Sequence, residues 1–227
     1  MVIQKEVLRD KICDVLRGWI LEGKLKPGER IVELTLAREL NVSRAPFREA
    51  LWLLARQGLV HLRAHHGAYV TELSERDIRE IFEIRETLEI RAALRIRARG
   101  DARTRTALKE ALAELETACQ ARDLRRFSAA DFHFHRTIWE LADNRHLQEI
   151  LNDLSTRFFG YELIRDLPHA AKFRFDVMAD EHRKLVKLIF EGTDREIEAG
   201  FRKAFAGFLE YVLVRFSEKP PARKAAE

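Results

Sequence analysis

A helix that begins with two outward-facing arginines is the feature that most restricts the fold of this sequence. Ser43 is a suitable N-cap residue, and Pro46 fits the first helical turn, where its missing N–H costs nothing. Four apolar residues then recur at helical spacing: Phe47, Ala50, Leu51 and Leu54. Arg44 and Arg48 share the outward side near the positive end of the helix dipole, where a cation gains nothing. This pattern predicts an anionic partner such as DNA; a surface helix with solvated arginines is the alternative.

The segments around this helix predict a winged helix–turn–helix. A first amphipathic helix ends at Gly23, and residues 33–40 form a second, short helix. Two β-prone segments, 59–63 and 68–72, follow the arginine-bearing helix and are separated by a turn. The order of these elements is that of a winged helix–turn–helix DNA-binding domain, which we place at residues 1–73.

The rest of the chain is predicted to be all-helical, so the fold class is mainly α. Ser74 and Asp77 form a capping-box-like helix start. The predicted helices, about six in number, span residues 74–100, 102–121, 124–143, 146–165, 173–191 and 194–217. They predict a helical-bundle domain over residues 74–217, followed by a flexible tail over 218–227.

The positive charge of the chain is concentrated in its first third. Residues 1–70 contain 12 Lys and Arg against 8 Asp and Glu, whereas the remaining residues contain 29 of each sign. This distribution favours a nucleic-acid-binding module joined to a neutral one, and it disfavours a winged helix that binds only proteins.

The cysteines and the hydropathy pattern predict a cytoplasmic protein. Cys13 and Cys119 match no disulfide or zinc spacing and are interpreted as reduced thiols in the core. The charged first residues lack the apolar region of a secretory signal, and no apolar run is long enough to cross a membrane.

Two sets of ordered motifs carry a family resemblance. Over residues 8–72 these are PGERIVE, LARELNVSR, PFREAL and QGLV, followed by a wing that ends in GAYV. Over residues 75–217 they are IFEIRETLE, DFHFHRTI, ADNRHL and EHRKLVKLI. The first set resembles the winged-helix head of GntR-type bacterial transcription regulators. The second resembles the FCD effector domain of the FadR subgroup. The predicted number of helices, six, is similar to that of the VanR-like branch of this subgroup.

The resemblance implies a ligand-responsive regulator that binds operator DNA as a homodimer. It places the matching recognition-helix and wing residues at the DNA, and Arg38 of the preceding helix is a further candidate. The predicted DNA-binding residues are Arg38, Ser43, Arg44, Ala45, Pro46, Arg48, His66 and Gly67. An arginine fork suits the guanine edge, and a serine with free N–H groups at a helix start suits phosphate.

The resemblance also implies a divalent metal, such as zinc or nickel, in the helical domain. In the family, residues matching Asp131, His135 and His182 hold it together with a third histidine, and the effector's carboxylate often completes the coordination. Asp131 and His135 are four residues apart, a spacing that can direct both side chains to one ion. A surface pair on the helix is the alternative, and no histidine follows His182 in this sequence.

The missing ligand leaves three interpretations open. The last helix has Phe201, Phe205 and Phe208 where the family's histidine is expected. The site can bind metal weakly through three side chains, with water or effector completing it. It can recruit His133, His169 or a carboxylate. It can also be metal-free, with a phenylalanine-lined pocket for a more apolar ligand.

Two residues are candidates for effector binding. Arg85 lies among residues expected to face the bundle, where a cation needs an anionic partner. That partner is either Glu89, four residues on, or an effector carboxylate. Asn144 is the second candidate, although capping of the next helix is the favoured interpretation.

The sequence therefore predicts a bacterial transcription regulator, a repressor in the first instance, controlled by a small organic acid and not itself an enzyme. The alternative of a different class is a metal-dependent hydrolase that uses Asp131, His135 and His182. It lacks a convincing general base or nucleophile, and it leaves the winged head unexplained.

Overall fold

The structure is a computed structural model that describes residues 3–217. Within this range it contains nine α-helices and one three-stranded sheet. The elements are α1 (Ile3–Leu21), β1 (Arg30–Ile31), α2 (Glu33–Glu39), α3 (Arg44–Arg56), β2 (Val60–Arg63), β3 (Gly67–Val70), α4 (Glu75–Arg99), α5 (Ala102–Gln120), α6 (Leu124–Leu141), α7 (Arg145–Asp166), α8 (Phe175–Glu191) and α9 (Asp194–Ser217). A short 3₁₀ segment, Leu167–Lys172, precedes α8. The mainly α fold is confirmed, and the tail over 218–227 lies outside the described residues.

The chain forms two compact units. The first contains the described residues up to Leu73 together with Thr156–Ile164 of α7, and the second contains the remaining described residues from Ser74 onward. The domain prediction assigned all of residues 74–217 to one domain, so the grouping of the α7 segment with the first unit departs from it.

The first unit has the order of a winged helix–turn–helix. Helix α1 packs against α3, which follows α2 after a left-handed Asn41 (φ 52°). Strands β2 and β3 form the wing hairpin, and β1 pairs with β3 on its other side, giving the order β1-β3-β2. The sequence prediction missed β1 because two residues are too short to show an alternating pattern.

A close backbone approach explains a glycine in the first unit. Gly58 ends the turn after α3 with φ +70°, a conformation that L side chains rarely adopt. A Cβ atom there would lie 1.9 Å from the carbonyl oxygen of Thr156, and one at Gly160 would lie 2.5 Å from Gly58. Only glycine fits at Gly58, both for its backbone angle and for the space.

The second unit begins with α4, whose N-terminus is stabilised by a capping box. The Ser74 hydroxyl accepts a hydrogen bond from the Asp77 N–H, and the Asp77 carboxylate accepts one from the Ser74 N–H, as the sequence predicted. Helix α4 packs against α9, and α5 packs against α6 and α8. The centre of the unit is apolar and almost fully buried, with Phe134, Trp139 and Phe201 each at 0% exposure. Six helices, α4 to α9, are present as predicted.

Both cysteines are buried free thiols, as predicted. Burial raises the pKa of the Cys119 thiol to about 11, so its reactive thiolate form is scarce at neutral pH. Among the described helices, none combines the length and apolarity of a membrane-crossing segment.

Candidate functional site

The start of α3 is exposed and lacks an acidic partner in its first turn. Ser43 occupies the N-cap position in an extended conformation, but its hydroxyl makes no capping hydrogen bond. Arg44 and Ala45 are exposed beside it. Arg44 has no ion pair with any described residue. The helix start thus presents a hydroxyl, free N–H groups and a cation on one surface, a combination suited to phosphate.

Arg48 differs from Arg44 because it already has a protein partner. Its Nε atom lies 2.6 Å from the Glu33 carboxylate of α2, and the arginine side chain is 56% exposed. Arg38, also on α2, is exposed as well. The sequence did not reveal the Arg48–Glu33 pair because its members are 15 residues apart on different helices.

Pro46 is a correction to the predicted DNA contacts. Its side chain is buried, together with Phe47. Pro46 therefore helps to fix the helix start and is not accessible for a shape contact with DNA. The sequence prediction did not include Trp52 among the residues of this surface. Trp52 is 65% exposed and lies four residues after Arg48 on the outward side of α3.

The wing carries more cations than the sequence prediction assigned to it. His66 is exposed in the hairpin turn, and Gly67 has φ +94°. The Arg30 guanidinium lies beside Gly67, 3.9 Å from where a Cβ atom would be. The Arg63 guanidinium lies over the Tyr69 ring, 4.6 Å from its centroid. The sequence did not predict that Arg30 lies at the wing, because β1, the strand that places it there, was not predicted.

In the second unit, three predicted metal ligands come together. Asp131 and His135 belong to α6 and His182 belongs to α8, and one ligand atom of each lies within 4.8 Å of the others. Asp131 Oδ1 is 2.8 Å from His182 Nε2 and 3.6 Å from His135 Nε2. All three residues are buried, at 3%, 8% and 7% exposure. A surface pair on the helix is therefore excluded for Asp131 and His135.

The other ring nitrogen of each histidine is already engaged. His135 Nδ1 is 2.7 Å from Glu89 Oε2, and His182 Nδ1 is 2.7 Å from the Met178 carbonyl oxygen. A carbonyl oxygen only accepts, so the Nδ1 of His182 carries the hydrogen, and the Glu89 carboxylate imposes the same tautomer on His135. In the neutral imidazoles both Nε2 lone pairs are therefore left on the side of Asp131.

The Asp131 and His182 atoms in this cluster are close but not bonded to each other. Asp131 Oδ1 and His182 Nε2 are not aligned for a hydrogen bond despite their separation, and neither has another hydrogen-bond partner among the described residues. Buried polar atoms are rarely left in this state. Two imidazole nitrogens and a carboxylate oxygen around one point are instead a donor set for a divalent cation.

The net charge of the cluster also favours the binding of a proton or a cation. Glu89 is fully buried, at 0% exposure, and Arg85 is at 2%. With both imidazoles neutral, Arg85, Glu89 and Asp131 together carry one negative charge. Burial raises the pKa of Asp131, but His182, His135 and Arg85 together more than offset this and hold it below its usual value. Burial lowers the pKa of His182, but Asp131, the Met178 carbonyl and Glu89 together outweigh that effect and raise the pKa above its usual value. A proton on His182 or a metal ion would neutralise the charge.

Arg85 has Glu89 as an anionic partner, and its binding of an effector carboxylate stays a prediction. Its Nε and Nη2 atoms lie 3.1 and 2.9 Å from Glu89 Oε1. The second oxygen of Glu89 holds His135, so this carboxylate joins the arginine to the predicted metal ligands. Burial raises the pKa of Glu89, but His135 and Arg85 more than offset this and hold it below its usual value. The sequence predicts Glu89 only as a partner for Arg85.

A cavity of ≈ 270 Å³ lies next to the cluster, between α8 and α9. Arg85 and the three predicted ligands line one part of it, and Phe205 and Phe208 line another. Phe201 is fully buried and does not line it. Of the three phenylalanines at the predicted position of the missing histidine, Phe205 and Phe208 therefore lie in the cavity wall. Sequence reasoning did not identify Arg174, Lys203 and Tyr211, which also line the cavity.

Three other candidates lie away from the cluster. His133 is on another face of α6, half exposed and 3.7 Å from Glu114. Neither His133 nor His169 belongs to the ligand cluster. Asn144 accepts a hydrogen bond from the Leu147 N–H at the start of α7 and does not line the cavity. Asn144 is thus a helix cap, and the prediction that it binds effector is not supported.

Comparisons with known proteins give the chain its family. The family model for bacterial regulatory proteins of the gntR family matches residues 8–70, and the FCD domain model matches residues 80–204, more than half of the chain. An HTH-type transcriptional regulator of Bacillus subtilis (strain 168), YdhC, is 32% identical over 171 residues, which cover 75% of each protein. The chain belongs to the GntR family. It is a transcriptional regulator with an FCD domain, which is an effector-binding domain.

Further comparisons agree with a GntR-family assignment. The gluconate operon transcriptional repressor of Bacillus licheniformis is 29% identical over 192 residues, covering 82% of this chain and 77% of that protein. The solved structure of E. coli McbR/YncC has the same fold, with a TM-score of 0.68, 21% identity and coverage of 92% of this chain and 99% of that one. The alternative hydrolase function finds no support, and assignment to the VanR-like branch stays a prediction.

Proposed function

We propose that this GntR-family regulator is a cytoplasmic homodimer that represses transcription and is released from its operator by a small carboxylate bound in the helical unit. The observation that supports ligand control most directly is the cluster of Asp131, His135 and His182 beside a cavity. Ligand binding next to α8 and α9 would favour one arrangement of the dimer over another, and a change in half-site separation would change DNA affinity.

The exposed start of α3 is our proposed base-reading surface. Arg44 and Arg48 suit the guanine edge, and Ser43 with the helix N–H groups suits phosphate. The other proposed contacts are Arg38, Ala45, His66 and Gly67. In a homodimer, two such surfaces would meet half-sites about 34 Å apart, one turn of DNA.

The Arg48–Glu33 pair leads to an expected gain of DNA affinity. Glu33 neutralises Arg48 and adds a negative charge beside the proposed interface. Glu33→Gln should tighten binding to the promoter fragment of the protein's own gene by up to about fivefold, since exposed ion pairs contribute about 0.2–1 kcal/mol. Fluorescence anisotropy at fixed salt measures this.

The matched control for this change is Glu39→Gln on the same helix. Glu39 carries the same charge and pairs with Lys24 at 2.9 Å, but its side chain is more exposed, at 47% against 23% for Glu33, and it does not pair with Arg48. If Glu33→Gln weakens DNA binding while Glu39→Gln does not, Glu33 orients Arg48 for its contact and does not compete with DNA for it.

The donor set fits a divalent metal such as zinc or nickel, and we propose that Asp131, His135 and His182 hold it. Glu89 and the Met178 carbonyl oxygen fix the two imidazoles with Nε2 toward the site, as outer-shell partners of metal-binding histidines commonly do. When bound, the metal would act as a Lewis acid that attracts a ligand carboxylate. The cavity lies beside the three side chains.

Metal content tests this proposal. After dialysis against zinc and then against buffer, we expect about one equivalent per chain by elemental analysis. His182→Ala should lose most of it because two ligands remain. His133→Ala, a half-exposed histidine outside the cluster, should keep it. Equal metal in both variants, with folding confirmed by circular dichroism, would contradict the assignment.

A further inference from the structure

The walls of the α8–α9 cavity differ in chemistry from the cluster beside them. Six apolar side chains contribute to these walls: Val177, Met178, Leu185, Ala204, Phe205 and Phe208. Met178, Leu185 and Phe205 are buried, at 9%, 5% and 7% exposure. A ligand that extends from the cluster along these side chains would replace water at an apolar surface and gain from that burial.

The buried polar groups of the same cavity are mostly committed. Arg85 is held by Glu89, and the Nδ1 atoms of His135 and His182 are engaged. The Tyr211 hydroxyl accepts a hydrogen bond from Arg215. Three charged residues also line the cavity where water competes for their hydrogen bonds: Arg174 and Lys203 are exposed and Glu181 is half-buried. The apolar walls offer no hydroxyl partner, and hydroxyl groups buried without one are penalised.

From this arrangement we propose that the effector is a small monocarboxylate with a hydrocarbon body, not a polyhydroxylated sugar acid. This inference rests on the proposed function. When both imidazoles are neutral, one bound divalent metal changes the net charge of the buried cluster from −1 to +1. A ligand with one carboxylate would then bring this net charge to zero. The volume of ≈ 270 Å³ restricts the ligand to a small molecule. The gluconate named for the relative from Bacillus licheniformis would place its hydroxyl groups against apolar walls.

A matched pair of six-carbon carboxylates tests the inference. Hexanoate and gluconate have the same chain length and the same acid group, and they differ in five hydroxyl groups. Isothermal titration calorimetry on the zinc-loaded full chain should give hexanoate a Kd at least about tenfold lower than that of gluconate. Equal or tighter gluconate binding overturns the inference, and so does an absence of binding by both acids.

A substitution in the cavity wall tests whether the ligand binds in this cavity. Phe208→Gln keeps a side chain of moderate size and adds an amide, so it should weaken hexanoate binding several-fold and narrow the preference over gluconate. Val214→Gln is the control, because Val214 is 57% exposed on the same helix and does not line the cavity. Unchanged Kd values for both acids in Phe208→Gln would show that they bind elsewhere.

Failure of this inference can be told apart from failure of the proposed function. The same preparations are titrated onto the promoter fragment with and without each acid. If gluconate binds more tightly and reduces DNA affinity, ligand control stands and the hydrocarbon preference is wrong. If neither acid binds or changes DNA affinity, the carboxylate effector itself is wrong.

Discussion

Replacing Glu89 by glutamine is expected to lower the free energy of unfolding by about 3–5 kcal/mol in the metal-free protein. Glu89 is at 0% exposure and its two oxygens bind Arg85 and His135. The amide keeps the volume but removes the charge, so the Arg85 guanidinium, at 2% exposure, loses the carboxylate that it binds. Urea denaturation followed by circular dichroism, with chelator present, measures the change.

The same helix supplies the control for this change. Arg76 and Glu80 form an ion pair with the same four-residue spacing and similar contact distance, but their side chains are 87% and 56% exposed. Glu80→Gln should change stability little, because solvent screens an exposed pair. The double variant Arg85→Met/Glu89→Gln should recover much of the loss, since the buried guanidinium that lost its carboxylate has been removed as well. Equal losses in Glu80→Gln and Glu89→Gln, or no recovery in the double variant, would contradict the assigned role of burial.

Local signals explain why much of the fold could be predicted from the sequence. The capping box of Ser74 and Asp77 depends on residues three apart, and the left-handed Asn41 marks the end of α2 in the sequence itself. Strand β1 has no local signal, because two residues acquire strand geometry only by pairing with Ala68 and Tyr69. The grouping of the α7 segment with the first unit likewise depends on a long-range contact, at Gly58.

The candidate site shows the same division between local and long-range information. Asp131 and His135 were predicted from a four-residue spacing, and the structure brings them to His182. The bond from Glu89 to His135 joins residues 46 apart, so no local pattern shows it. Pro46 was predicted at the DNA from its position in a motif, but burial against the core excludes that contact. Side-chain exposure is a property of packing that helical periodicity describes only approximately.

Removing Arg44 is the second change with a large expected effect. Arg44 is exposed at the start of α3, beside an N-cap serine whose hydroxyl is not used for capping. Unlike Arg48, it has no ion pair with another described residue, so DNA need not displace a protein partner. Loss of a guanidinium fork on a guanine edge should cost about 1–3 kcal/mol of specific binding, about 5- to 150-fold in affinity.

The control for this variant must remove the same charge elsewhere. Arg76 lies in the first turn of α4 and is highly exposed, but it belongs to the helical unit and pairs with Glu80. Arg76→Ala lowers the net charge by the same amount, so a general electrostatic effect would weaken both variants equally. Circular dichroism of both proteins would show that each remains folded.

The most direct test of the central claim, that the exposed start of α3 reads operator DNA, is the affinity of Arg44→Ala for the promoter fragment and for a scrambled fragment at one fixed salt concentration. We expect the promoter affinity to fall about 5- to 150-fold, with a smaller loss on the scrambled fragment and little change in Arg76→Ala. Unchanged promoter affinity in Arg44→Ala, or an equal loss in Arg76→Ala, would contradict the claim.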